Sequence, residues 1–143
     1  MPFRFDDQIS PADVAFEAWG ATQEELFIAS AAALLRTMVE VPEAVARQQQ
    51  VTFCLEDEAL DMLLWSFLQE LVFYKDARRL LLHADTVEIK EGDAIFQLEA
   101  KVSGEAIDVD RHQCLVDVKA VTLHCFRVAY EDGCWRAVVV LDV

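Results

Sequence analysis

Two stretches of this chain repeat their apolar residues at helical spacing, whereas almost everything after Arg79 alternates at strand spacing. The first stretch, ATQEELFIASAAALLRTMVE, places Thr22 as an N-cap with Glu25 three positions on, the arrangement of a capping box that satisfies two backbone donors. Leu26, Ile28, Ala29, Ala32, Ala33, Leu35 and Met38 then form a broad apolar face, and Pro42 lies just past its end. The second stretch, EDEALDMLLWSFLQELVFYKD, has acidic residues near its start, where the helix dipole favours them. Its stripe is Leu60, Leu63, Leu64, Phe67, Leu68, Leu71 and Val72, which reads as half of a core.

Around these helices the pattern has period two. VAFEAW, ended by Gly20, and VTFCLE are predicted strands, and after Arg79 come LLLHAD, TVEIKE, AIFQLEAKVSG, QCLVDVKAVTL, FRVAYEDG and WRAVVVLDV. Gly104 is expected to interrupt the long central strand and to begin a polar loop, GEAIDVDRH. With no internal repeat or linker, the reading is an α+β fold: one domain over residues 1–143, with two long helices packed on a mainly antiparallel sheet as a sandwich.

Composition limits the functions open to such a domain. LLWSFL and VVVLDV fall well short of the roughly 18 apolar residues of a membrane span, and MPFRFDDQIS does not have the regions of a signal peptide. The expectation is a soluble cytoplasmic protein. Twenty-six acidic residues against twelve basic ones give a formal charge of −14, which repels a phosphodiester backbone and disfavours direct binding of nucleic acid. Cys54, Cys114, Cys125 and Cys134 include no C-x-x-C pair and sit in apolar segments, so they are expected to be buried thiols in a reducing compartment.

Chemistry is sparse. The four glycines are too scattered for a phosphate-binding loop, and no serine has a local histidine, so a self-sufficient enzyme is not expected. Asp13 stands at the start of one strand and Asp142 at the end of another, and the carboxylate of Val143 adds further oxygens. Adjacent strands would gather these into a site suited to a hard cation such as Ca²⁺ or Mg²⁺. Spacing alone favours the plainer reading of a solvated loop aspartate and a solvated chain end. Lys119, close to Asp110, Arg111, His112, Thr122 and His124, could serve an anionic partner, although a strand lysine is more often a snorkelling surface residue.

In order along the chain, these segments resemble the archease family of small acidic proteins that assist the RNA-splicing ligase of the RtcB type. ADVAFEAWGATQEELFIASAAALL is similar to the family's opening, ALDMLLWSFLQELVFYKD to its second helix and SGEAIDVDRH to its G-E-x-x-D-x-x-x-H loop. VKAVTLH is similar to its V-K-A-[IV]-T-Y-H strand and WRAVVVLDV to its terminus. The chain departs from the family in DQISPAD, which lacks the histidine of D-H-T-A-D and is longer, and in Leu123, which replaces a tyrosine.

The resemblance implies a role as a protein cofactor in tRNA splicing and processing. Archeases promote guanylylation of the ligase's active-site histidine and allow repeated joining of RNA 2′,3′-cyclic phosphate or 3′-phosphate ends to 5′-hydroxyl ends. It also implies a divalent cation, calcium with magnesium or manganese as alternatives, held by Asp13, Asp142 and Val143, and a functional role for Lys119. GTP would be used by the partner ligase, and RNA would be met only through it. Two other classes stay open: a metal-dependent phosphoester hydrolase using the same carboxylates, and a general chaperone or scaffold.

Overall fold

The computed structural model of the chain describes residues 2–7 and 13–143. Two antiparallel sheets enclose the helices. In the first sheet the central strand is β8 (Cys134–Asp142), with β2 (Val14–Gly20) along one edge and β1 (Phe3–Phe5) outside β2. The other edge of β8 is shared by β7 (Arg127–Glu131) and the two-residue β6 (Ala120–Val121). The second sheet has the order β3 (Gln49–Asp57), β5 (Phe96–Ala106), β4 (Leu80–Glu91). This is the α+β arrangement that the change of hydrophobic period predicts.

Helix α1 (Gln23–Met38) starts as expected: Glu25 N–H donates to Thr22 Oγ1 at 3.1 Å. The Glu25 carboxylate reaches back to Ala21 N–H at 2.8 Å, one residue earlier than the usual partner in a capping box. The helix packs against both β2 and β4, so it is buried around most of its circumference. Phe27, Ala31 and Leu34, outside the predicted stripe, are therefore buried, while Ala32 is exposed. Two hydroxyls buried with it, on Ser30 and Thr37, donate to the carbonyls of Leu26 and Ala33 four residues back, so neither is orphaned.

Helix α2 (Leu60–Arg78) buries Leu63, Leu64, Phe67, Leu68, Leu71 and Val72, as its stripe predicts. Phe67 meets Phe27 of α1 at a ring-centroid distance of 5.6 Å and Phe53 of β3 at 6.0 Å, which joins both helices to the second sheet. Burying such a ring contributes about 1.5–3 kcal/mol. Val139 and Leu141 of β8 complete the core from the first sheet.

Several expectations are corrected by tertiary contacts. Gly104 does not break β5; it lies inside the strand, paired with both Gln49 and Leu82. A Cβ there would sit 1.6 Å from the carbonyl oxygen of Leu81, so glycine serves close approach of β4. The polar loop is consequently shorter, and Asp108 caps a single helical turn, α3 (Val109–His112). LLLHAD and TVEIKE form one strand, bulged between Ala84 and Thr86. Of QCLVDVKAVTL only Ala120–Val121 is a strand. The cysteines are free thiols but not buried: Cys54, Cys114 and Cys125 are exposed and Cys134 is intermediate, because they fall on outward-facing strand positions or in connections.

Among the described residues no helix is long and apolar enough to cross a membrane.

Candidate functional site

The site begins with how β8 ends. Val139, Val140 and Leu141 are buried, Asp142 is exposed and Val143 packs partly against the core, so the last turn of sequence is anchored by its apolar residues while its carboxylate faces solvent. Antiparallel pairing with β2 runs from Gly20 opposite Trp135 to Val14 opposite Leu141. One step further, the same register sets half-buried Asp13 beside Asp142. Sequence reasoning proposed adjacent strands for these residues, and the sheet supplies them.

On the other edge of β8, Ala120 is opposite Asp142. Lys119 N–H donates to the carbonyl of Asp142 at 2.8 Å, and Thr122 N–H to that of Val140 at 3.0 Å. The Lys119 side chain is exposed, beside the residue whose carboxylate completes the strand. Asp13, Asp142, Val143 and Lys119 are thus gathered at one end of the first sheet. His124 and Thr122 follow on the same segment, with Thr122 Oγ1 accepting from His124 N–H at 3.2 Å.

A two-residue strand is too short to hold itself. The segment leading to Lys119 is tethered instead at intervals. Leu115 N–H donates to the Met38 carbonyl at the end of α1, and Cys114 forms a bridge with Val39. Lys75 of α2, only 3% exposed, places its ammonium 2.5 Å from Asp117 and 2.6 Å from Asp76. Val118 is fully buried, Trp65 Nε1–H donates to the Val121 carbonyl at 2.8 Å, and Gln69 Oε1 accepts from Val121 N–H at 3.0 Å. Helix α2 therefore fixes the backbone that presents Lys119.

A second polar cluster lies under α3. Glu105 and His112 are both buried. Asp108 N–H donates to His112 Nδ1 at 2.9 Å, which leaves Nε2–H to donate to Glu105 at 3.1 Å. Arg111 and Ala46 N–H donate to the same carboxylate. The Arg111 guanidinium first, then the Ala46 amide and His112, hold the Glu105 carboxyl at about 2, well below its usual range. Arg111 also reaches the Ala44 carbonyl at 3.1 Å. These bonds make His112 a structural histidine that binds β5 to the connection after α1.

Residues near the acidic end also include two that sequence reasoning did not select. Asp6 N–H donates to the Ala15 carbonyl, continuing the pairing of β1 with β2, so Asp6 and Asp7 extend toward the same end of the sheet as Asp13. The available signal was FRF as a short strand before DD. The proline-containing loop, with the departure in DQISPAD, falls mainly on residues 8–12 and lies outside the described residues.

The carboxylates of Asp13, Asp142 and Val143 offer oxygen donors, which is the chemistry of a hard cation. Among the described residues, no three His, Cys, Asp or Glu side chains are grouped so as to hold a metal ion. Any cation would have to combine the two carboxylates with oxygens of other kinds.

The chain is similar to known proteins over nearly its whole length. The sequence profile of the archease protein family matches residues 3–143. A protein archease of Thermococcus gammatolerans is 34% identical over 141 residues, covering 98% of this chain and 99% of that one. One from Pyrococcus furiosus is 34% identical over 133 residues, covering 92% and 93%. The solution structure of protein 1598 of Methanobacterium thermoautotrophicum superposes with a TM-score of 0.85 at 32% identity, covering 99% of both chains. A crystal structure from Thermotoga maritima, described as an archease and possible chaperone, has a TM-score of 0.59 at 16% identity over 94% of this chain and 93% of that one, a likeness of fold alone.

Proposed function

The chain belongs to the archease family, and from that premise we propose that it is a non-enzymatic protein cofactor of an RtcB-type RNA ligase, promoting guanylylation and repeated turnover in tRNA splicing. The observation that carries this reading is the register of β8, which brings Asp13 beside Asp142 on one side and Lys119 onto Asp142's carbonyl on the other. An anionic pair with an exposed lysine on the neighbouring backbone is suited to a partner that handles triphosphate and metal.

Asp13, Asp142 and Val143 are the residues that would hold a divalent cation, calcium or alternatively magnesium or manganese, with hard oxygen donors. Bound there, the ion supplies charge stabilisation for phosphoryl transfer. Lys119 orients a phosphate oxygen by direct donation, and the tethers from α2 keep its backbone in place so that little order has to be gained on docking. GTP and RNA belong to the ligase. The chain's charge of −14 favours a basic protein surface over RNA itself.

The test is multiple-turnover ligation by the cognate ligase with GTP and metal, with and without this protein. Wild type is expected to stimulate, and Asp142→Ala to lose stimulation by at least about tenfold, equivalent to ~1.4 kcal/mol, while keeping its fold. Unchanged guanylylation with Asp142→Ala would remove the acidic end from the mechanism.

A further inference from the structure

The described strands leave several sheet edges open, and they are not alike. An edge strand exposes unpaired N–H and C=O groups that can template another strand, and proteins usually blunt such edges by shortness, charge or bulges. Strand β1 has three residues and β7 five. Strand β4 is bulged after Ala84, its Asp85 pairs with Arg47, and Ile89 N–H is met by the Glu24 carboxylate at 3.4 Å. Strand β3 is neither short nor bulged, and its charges, Glu56 and Asp57, are confined to its last two residues. It runs nine residues with unbroken register against β5, carries no lysine, proline or bulge, and no described strand pairs with its outer side.

Aromatic surface adjoins it. Phe53, at the middle of β3, stacks with Tyr74 of α2 at 6.0 Å, and Tyr74 touches Phe73 at 5.8 Å. Phe73 is 54% exposed, so a file of rings leads from β3 out to the surface. Open backbone with apolar side chains next to it is the make-up of an association surface.

The sequence of the strand says what fits. QQVTFCLED is complementary to itself when two copies run antiparallel about Phe53. In that register Gln49 is opposite the partner's Asp57, Gln50 opposite the partner's Glu56, Val51 opposite the partner's Leu55 and Thr52 opposite the partner's Cys54. Amide donors meet carboxylates at both ends and apolar residues meet in the middle. No like charges face one another, although each chain carries a net charge of −14. Gln50, Cys54 and Glu56 share the exposed face of the sheet, while Val51, Phe53 and Leu55 share the half-buried face, as direct cross-strand partners must.

We infer that two copies of this chain associate through β3, antiparallel about a two-fold axis at Phe53, to form one continuous six-stranded sheet. Strand β3 belongs to the second sheet and the carboxylates Asp13 and Asp142 to the first, so the pairing draws on none of the residues assigned to ligase activation.

Sedimentation equilibrium of the full chain under reducing conditions tests this. The wild type is expected to reach twice the chain mass as concentration rises. Gln50→Lys, which sets a lysine against Glu56 twice per dimer, is expected to lower the dimer dissociation constant about tenfold, and Gln50→Glu to raise it about tenfold. Gln50 is exposed, so both variants keep the fold, which circular dichroism checks. Register is read independently with Thr52→Cys: mild oxidation is expected to give a covalent dimer through the partner's Cys54, which is absent when Cys54→Ser is added. A monomer at every soluble concentration overturns the inference. So does an equal response to the two Gln50 substitutions, or a covalent dimer that maps to Cys114 or Cys125.

Discussion

Single residues in this fold carry polar work that the alternation of the sequence hides. Glu105 continues the polar face that Gln97, Glu99 and Lys101 expose along β5, yet it is buried and gathers Arg111, the Ala46 amide and His112 around its carboxylate. Its carboxyl is held at about 2, against 4.5 for an ordinary glutamate. The folded state therefore binds the proton less readily than the unfolded one. That stabilisation is complete above pH of about 4.5 and is lost as pH falls toward about 2. Glu105→Gln is expected to melt several degrees below the wild type at neutral pH, because the amide presents donors to donors, and the gap is expected to narrow as pH falls through that window. Thermal melts of both proteins at several pH values check it, and a gap independent of pH would assign the loss to packing alone. Nothing in the order of residues announces this cluster beyond the spacing of Glu105, Asp108 and His112.

At the scale of elements, the helices were legible and the short strands were not, for a physical reason. Helical period and the Thr22–Glu25 cap are local, so α1 and α2 are read from neighbours in sequence. The segment from Gln113 to Leu123 has real strand-like alternation, but its backbone is satisfied by α1, by α2 and by the end of β8 rather than by a long ladder. Gly104 misled for a related reason, since only the approach of Leu81 explains it. For the candidate site, the residue types at the chain ends were visible, whereas their adjacency depends on the pairing of the first long strand with the last. The tethers make a prediction. Asp117 is largely exposed although its partner Lys75 is buried, and Asp76 also faces that ammonium. Asp117→Ala is expected to cost less than about 1 kcal/mol of global stability. It is expected to raise amide exchange across residues 113–119 and to weaken ligase stimulation, because Lys119 is then less firmly placed. Hydrogen exchange that is unchanged in that segment would show that the main-chain bonds hold it without the ion pair.

For the whole molecule the governing quantity is the charge of −14, and it acts with opposite sign on the two associations proposed. Two identical chains repel each other at long range, and salt screens that repulsion over a Debye length of about 10 Å at 0.1 M. The β3 contact itself is backbone pairing, amide–carboxylate bonds and apolar surface, which salt weakens little. Self-association is therefore expected to strengthen as ionic strength rises. Docking of the acidic surface onto a basic, metal-using ligase has the reverse dependence, because steering and charge complementarity are what salt removes. Sedimentation of the protein alone and of its mixture with the ligase, over the same series of salt concentrations, should give slopes of opposite sign. If both associations weakened together, the dimer contact would be held by charge pairs rather than by the β3 ladder. If both strengthened, the ligase would be meeting an apolar face, and the pole bearing Asp13, Asp142 and Lys119 would not be the surface it recognises.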